Sequence, residues 1–217
     1  MSSEPLPCRK TKLPRLYAIL DVSCFSASQP AGGAIFEYAR ELAAGGATLI
    51  QYRNKTGSSR EMLSDTRELR RVLGDAIILI MNDRADLCLA AGFDGVHVGQ
   101  DDLSPERARA VVGSSRILGA STHSLEQVKK AADGPADYIA FGPIFPTLSK
   151  QRPDPVVGLD GLRAARAATT KPLVAIGGIT RMNARAVMDA GADSIAIISD
   201  LLTSPRQIVG DLLRLVG

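Results

Sequence analysis

Residues 77–84, IILIMNDR, and 95–102, GVHVGQDD, each run an apolar stretch directly into carboxylates. Read as strands, they place Asp83 and the pair Asp101/Asp102 just past two neighbouring strand ends. Strands of a parallel barrel lie side by side, so residues in these positions converge on one mouth, where catalytic groups of this architecture sit. A hard divalent cation such as Mg²⁺ needs one or two carboxylates there, with its other positions filled by water or phosphate oxygens. The ordinary alternative is local: Asn82-Asp83 is a turn and N-cap opening the helix DRADLCLAAG, and Asp101-Asp102 does the same before SPERARAVVG. The rest of the chain decides between them.

Outward from these two stretches, runs rich in Ile, Val and Leu alternate with amphipathic, Ala- and Arg-rich segments. The pattern predicts strands at 15–21, 47–53, 76–82, 95–98, 117–121, 138–142, 172–177 and 194–199. Helices are expected near 31–44, 59–73, 84–91, 105–112, 124–132, 159–168, 181–189 and 205–215. The strands are nearly continuous apolar runs, which implies burial on both faces and hence a parallel sheet. Eight strand–helix units in 217 residues predict an α/β fold, a closed (β/α)8 TIM barrel, in a single domain over 15–217. A doubly wound open sheet is the runner-up, but no GxGxxG follows the first strand. Residues 1–14 are polar and Pro-punctuated and read as an extension of the kind that stays disordered.

Composition narrows the function. Lys and Arg number 26 against 23 Asp and Glu, a net charge of +3, and no basic run is interleaved with aromatics. Nucleic acid is therefore not an expected partner. Three cysteines, Cys8, Cys24 and Cys88, are an odd number without a CxxC. That argues against a disulfide framework or structural zinc and suits a reducing, cytoplasmic location. The N-terminus has no apolar h-region, and the longest apolar stretch, AIILIM, is too short to cross a bilayer. No membrane partner is expected; barrels of this size often associate, so a homo-oligomer is compatible with the sequence.

Further groups gather at the same mouth. The second strand continues as Gln51-Tyr52-Arg53-Asn54-Lys55, and period-two alternation puts Gln51, Arg53 and Lys55 on one face. Arg offers a planar fork to phosphate oxygens and Lys a point charge, so the set suits a pyrophosphate; the alternative is a solvated strand end with exposed ion pairs. The segment 142–158, GPIFPTLSKQRPDPVVG, is the longest irregular stretch and carries Thr147, Ser149 and Lys150. A loop this long in a compact barrel suggests function, and its prolines reduce the entropy lost on ordering. The seventh strand ends in Ile176-Gly177-Gly178 and the eighth in Ile198-Ser199. Loops after strands 7 and 8 form the recurrent phosphate site of this fold. Ser121, ending the fifth strand, is either a donor to a ligand or an N-cap, a role Thr122 or Ser124 could fill instead. His97 lies inside a strand and reads as a packed, hydrogen-bonded residue. His123 follows the fifth strand and could titrate at the mouth. Neither has a Ser or Cys partner that makes a nucleophilic triad.

The segments LYAILD, QYRNK, NDR, DGVHVGQDDL, GASTHS, GPIFPTLSK, VAIGGIT and GADSIAIIS, in this order and spacing, resemble the thiamine-phosphate synthase family. The resemblance runs from about Leu16 to Leu202. It implies a barrel enzyme, a transferase dependent on Mg²⁺. Such an enzyme joins 4-amino-5-hydroxymethyl-2-methylpyrimidine diphosphate to 4-methyl-5-(2-phosphoethyl)thiazole and releases pyrophosphate. By that resemblance Gln51, Arg53, Asn54, Lys55, Asn82, Ser121 and Lys150 hold the pyrimidine diphosphate, with Arg53, Lys55, Ser121 and Lys150 serving the chemistry. Asp83 and Asp102 bind the metal, and Asp101 stands where the family usually has Glu. Thr147, Ser149, Gly178, Ile198 and Ser199 hold the thiazole phosphate. Asn54 stands where the family usually has an acid, and alternation turns its side chain away from the mouth. Tyr52 and Ser149 are milder departures, from Leu and Thr.

Other readings are a thiazole tautomerase of the same barrel family and a non-catalytic thiazole-phosphate-binding protein. The first has no use for a diphosphate clamp and the second leaves the carboxylates unexplained. A Schiff-base aldolase is disfavoured because neither Lys55 nor Lys150 sits within a strand, where its pKa could be lowered.

Overall fold

The computed structural model describes residues 13–25, 31–147 and 154–217. Eight strands pair in parallel in chain order: β1 Leu16–Asp21, β2 Leu49–Arg53, β3 Ile78–Asn82, β4 Gly95–Val98, β5 Ile117–Thr122, β6 Tyr138–Phe141, β7 Leu173–Ala175 and β8 Ser194–Ile197. β8 closes on β1, with Tyr17 in register with Ala196. The helices are α1 Ala31–Ala44, α2 Ser59–Leu73, α3 Ala85–Ala90, α4 Pro105–Val112, α5 Leu125–Asp133, α6 Gly158–Ala168, α7 Ala184–Asp189 and α8 Pro205–Val216. The expected closed barrel is therefore what forms. No described helix is long and apolar enough to cross a membrane. Residues 1–12, most of the expected extension, lie outside the described residues.

Two apolar cores explain why the strands are apolar on both faces. Leu49, Ile80, Tyr138 and Val174 fill the barrel with Tyr17, and Leu13 packs with them. Their sequence neighbours Ile50, Leu79, Ile139 and Leu173 point outward onto Leu42, Leu69, Leu162 and Leu212 of the surrounding helices. One-residue alternation thus assigns each strand position to a core, and each large side chain fully buried in this way stabilises the fold by about 1.5–3 kcal/mol.

A repeated ionic clamp fixes three of the strand pairs at the N-terminal end. Asp94 accepts from Leu79 N at 2.8 Å and from Arg70 of α2 at 2.6 Å. Asp137 accepts from Leu118 N at 2.7 Å and from Arg109 of α4 at 2.6 Å. Asp193 accepts from Leu173 N at 2.8 Å and from Arg166 of α6 at 2.7 Å. Each arginine also donates to backbone carbonyls near the end of its own helix, as Arg109 does to Gly113 O and Arg116 O. The clamp ties a helix end to two strands, and it lies opposite the mouth, at the end of the barrel that serves stability.

The structure departs from the predicted element bounds at the mouth. β7 stops at Ala175 and not at 177, because Gly177 and Gly178 take φ of 87° and 66°. α7 begins at Ala184 and not at 181: the Asn183 amide accepts from Thr180 N at 2.8 Å and donates to Gly178 O at 3.0 Å, holding 178–183 as a shaped loop. β8 stops at Ile197, and Ser199–Leu201 form a 3-10 turn.

Candidate active site

A cavity of about 280 Å³ opens at the C-terminal ends of the strands and reaches down to Tyr17 inside the barrel. Its acidic side is built by β3 and β4. Asp83 follows β3 with φ 63°, alone among described non-glycine residues in being left-handed. Its N–H continues the ladder to His97 O at 2.8 Å, and Arg84 N folds back to Asn82 O at 2.8 Å across it. This is a tight three-residue turn of the strained kind, which persists only when its surroundings hold it. The turn brings the Asp83 carboxyl beside that of Asp102 and against the Lys55 ammonium, with which it is ion-paired. Burial first, then the neighbouring Asp102 carboxyl, push the Asp83 pKa up to about 6, against the opposing pull of Lys55. Asp102 is fixed by Gly99 N at 2.9 Å, and Asp101 lines the same wall.

The capping alternative fails for both acids. α3 has Arg84 at its N-cap with no side-chain cap bond, and α4 is capped by Ser104, whose hydroxyl accepts from Arg107 N at 3.4 Å. Released from capping, the Asp83/Asp102 pair offers hard oxygen donors to a cation. Among the described residues no three His, Cys, Asp or Glu side chains gather as a metal cage. Mg²⁺ needs no such cage, since it binds through one or two carboxylates plus water and phosphate. Two neighbouring carboxyls, with the Asp83 pKa raised by desolvation and by Asp102, are the arrangement a divalent cation would relieve, so the residues present fit Mg²⁺.

The basic side comes from β2. Gln51, Arg53 and Lys55 all line the cavity, as strand alternation predicts. Gln51 Nε2 donates to Asn82 Oδ1 at 2.6 Å, and Asn82 Nδ2 remains buried without a partner. Arg53 is ion-paired to Asp21, the last residue of β1, whose carboxylate is buried and also accepts from Ser23 N and Oγ at 3.0 and 2.7 Å. Asp21 was legible in LYAILD, a strand running into an acid as IILIMND does, and sequence reasoning missed it. Asn54 does not line the cavity. Its amide donates to Tyr52 Oη at 3.1 Å and accepts from Gly57 N at 2.8 Å, shaping the β2–α2 loop. The residue grouped with the diphosphate contacts thus acts, in this geometry, on the loop that carries Lys55.

Deeper, Ser121 ends the exposed part of β5 and His97 stands behind it. His97 Nε2 lies 2.8 Å from Ser121 Oγ, and its Nδ1 lies 2.9 Å from Tyr138 Oη. His97 is packed and hydrogen-bonded as expected. Ser121 is not a cap, because Ser124 caps α5 through Gln127 N at 3.2 Å. His123 Nδ1 meets Gly142 O at 2.5 Å, and its Nε2 is 3.5 Å from Asp154 across the mouth loop.

The third side is the β6, β7 and β8 loops. Thr147, Gly177, Gly178, Ile198 and Ser199 line the cavity together. Phe145 N donates to Gly177 O at 3.1 Å, and a Cβ on Gly178 would lie 2.6 Å from Pro146 O, so glycine alone lets these loops touch. Arg181 N and Nε donate to Asp200 Oδ2 at 2.8 and 3.2 Å, clipping the β7 loop to the turn after β8. This pair was not anticipated from sequence. Ser149 and Lys150 lie outside the described residues.

A closed barrel with a carboxylate pair and cations on one side of its C-terminal mouth, and glycine-bounded loops on the other, defines an enzyme of the (β/α)8 class that handles phosphorylated small molecules. Within that class the chain belongs to the thiamine monophosphate synthase family, which matches it over residues 17–201. It is 60% identical over 205 residues to the thiamine-phosphate synthase of Koribacter versatilis (strain Ellin345), covering 94% of this chain and 97% of that one. It is 46% identical over 171 residues to the thiamine-phosphate synthase of Chloroflexus aurantiacus, covering 76% and 79%. The solved thiamine phosphate pyrophosphorylase of Pyrococcus furiosus superposes with a TM-score of 0.82 at 36% identity, covering 93% of this chain and 95% of that one. The family expected from the sequence motifs is the family found, and neither the tautomerase nor the sensor gains support.

Proposed function

We propose that the chain joins the pyrimidine diphosphate to the thiazole phosphate with loss of pyrophosphate, using Mg²⁺ held by Asp83 and Asp102. The observation that carries this reading is the opposition of a charged subsite and an uncharged, glycine-bounded one across one cavity. The Asp83/Asp102 pair with Arg53 and Lys55 suits a diphosphate and its cation, while Gly178, Ile198 and Ser199 suit a lone phosphate.

In this reaction the C–O bond between the pyrimidine methylene and the diphosphate breaks, and its electron pair leaves with the diphosphate. The thiazole nitrogen lone pair then forms the new C–N bond, so no protein nucleophile is required. By family resemblance departure precedes attack. Arg53, anchored by buried Asp21, and Lys55 stabilise the charge on the departing oxygens as a preorganised clamp. Lys150 is proposed to join them. Mg²⁺ bound at the carboxylates would neutralise further charge on the same leaving group. Gln51, Asn82 and Ser121 orient the pyrimidine, and the apolar walls Ile19, Ala140, Val174 and Ala196 keep water from the electron-poor methylene carbon.

The test is thiamine phosphate formation by purified protein from the two phosphorylated halves, with Mg²⁺ and again with excess EDTA. Metal-dependent product is the expected result. Folded protein that binds the thiazole phosphate and yields no product with Mg²⁺ would overturn the reading.

A further inference from the structure

From Ser121 a line of four hydrogen-bonding groups runs back into the barrel. Tyr17 Oη lies 2.8 Å from Tyr138 Oη, which lies 2.9 Å from His97 Nδ1, and His97 Nε2 lies 2.8 Å from Ser121 Oγ. Tyr17 and Tyr138 are 1% and 0% exposed and His97 8%. The imidazole stacks on the Tyr138 ring with centroids 5.5 Å apart and planes inclined by 23°, and the His97 carbonyl is held by Asp83 N at 2.8 Å. The ring therefore has one orientation, and only its proton placement is free.

We infer that Tyr17 and Tyr138 fix His97 in the tautomer protonated on Nε2, and that Ser121 is thereby made an obligate hydrogen-bond donor to the bound pyrimidine diphosphate. The line can be polarised in two ways. If Ser121 donates to His97, then Nδ1–H donates to Tyr138, Tyr138 donates to Tyr17, and the Tyr17 hydroxyl hydrogen is left at the floor of the cavity, on a residue 1% exposed and with no further protein acceptor among the described residues. An orphaned buried donor of this kind costs about 1–3 kcal/mol. In the opposite polarity Tyr17 donates to Tyr138, Tyr138 to Nδ1, and Nε2–H to Ser121 Oγ, so every buried donor is matched. The one hydrogen left over is that of Ser121, which lies at the cavity surface, where an acceptor atom of the substrate can take it.

An imidazolium would also break the matched line, because it would donate at both nitrogens and push the unmatched hydrogen back to Tyr17. Burial disfavours that form independently, holding the His97 pKa down to about 4. Tyr17, Tyr138 and His97 are positioning residues: His97 touches Ser121, and the two tyrosines behind it set which way the Ser121 hydroxyl points. The tautomer assignment concerns the free protein, whereas the role of Ser121 as donor to the diphosphate substrate rests on the proposed function.

The chain has two histidines, so ring ¹⁵N spectra of histidine-labelled, unliganded protein are readily assigned with a His123→Asn control. Between pH 6 and 8 His97 should show a protonated Nε2 and a bare Nδ1; protonation on Nδ1 overturns the inference. Tyr138→Phe removes the donor to Nδ1 and should shift the tautomer. It should also lower kcat/KM for the pyrimidine diphosphate by about tenfold, the scale of one hydrogen bond to substrate. That loss should vanish in a Ser121→Ala background, whereas additive losses would show that Tyr138 acts otherwise. Tyr17→Phe leaves Tyr138 free to donate to His97 and should keep the tautomer; a switch in that variant also overturns the polarity. An Nε2–H tautomer in protein that makes no thiamine phosphate would leave the donor assignment intact and remove only the substrate.

Discussion

The carboxyl group of Asp83 stands beside that of Asp102 across the ends of β3 and β4, with the Lys55 ammonium paired to Asp83. A carboxyl beside a second carboxyl holds its proton to higher pH, and a cation bound there displaces that proton. Metal affinity should then weaken as pH falls below about 6, the value to which burial and Asp102 raise Asp83. Mg²⁺ titrations followed by thermal shift at pH 5 and pH 7.5 check this, and equal affinity at both would contradict it. Asp83→Ala should lower turnover by roughly 10²-fold or more at saturating Mg²⁺, the scale of losing a main electrostatic stabiliser.

Arg53 owes its position to Asp21, which is 4% exposed and ion-paired to it. Asp21→Asn keeps the shape and removes the countercharge. The variant should lose affinity for the pyrimidine diphosphate by about tenfold or more, because the guanidinium is no longer held at the cavity rim. Steady-state KM for each substrate separates the effects: the thiazole KM should stay within about twofold, since its subsite lies across the cavity.

Gly178 has φ 66°, and an added Cβ would meet Pro146 O at 2.6 Å and Phe145 Cβ at 2.7 Å. Gly178→Val should displace the β6 loop and strain the β7 turn, costing about 1–3 kcal/mol locally. The expected kinetic result is a thiazole KM raised by about tenfold or more with a smaller change in the pyrimidine KM. An unchanged thiazole KM would move the phosphate subsite elsewhere.

His97 is buried in its neutral form, with its pKa lowered from 6.5 to about 4 chiefly by loss of hydration. Between those values the unfolded chain binds a proton that the folded chain does not, so stability is complete above pH 6.5 and falls as pH drops toward 4. The loss integrates to about 3 kcal/mol. Urea denaturation at pH 7, 5.5 and 4.5 should show this slope, and His97→Gln should flatten it.

The Arg109–Asp137 clamp joins α4 to β5 and β6 on the face away from the cavity. Asp137→Asn should destabilise the fold by about 1.5–3 kcal/mol, the range for hydrogen bonds to a charged group. KM values should not change, and a change in either would show that the two ends of the barrel are coupled.

Strand order, helix placement and the two-sided burial of the sheet were already determined by the sequence, because period-two and period-3.6 patterns are local and the barrel follows from repeating them eight times. So was the gathering of Gln51, Arg53, Lys55, Asp83 and Asp102 at one mouth, since every strand's C-terminal end faces the same way. Other features depend on distances between units far apart in the chain, which no local pattern encodes. Tyr17 and Tyr138 are 121 residues apart and read singly as core aromatics; only closure of β8 on β1 brings their hydroxyls together. The same holds for Asp21 with Arg53, for Arg181 with Asp200, and for the left-handed turn that aims Asp83 at Asp102. The pattern of the chain named the residues at the mouth, and the register of the closed sheet decided which of them share a charge or a hydrogen bond, because those interactions act over about 3 Å.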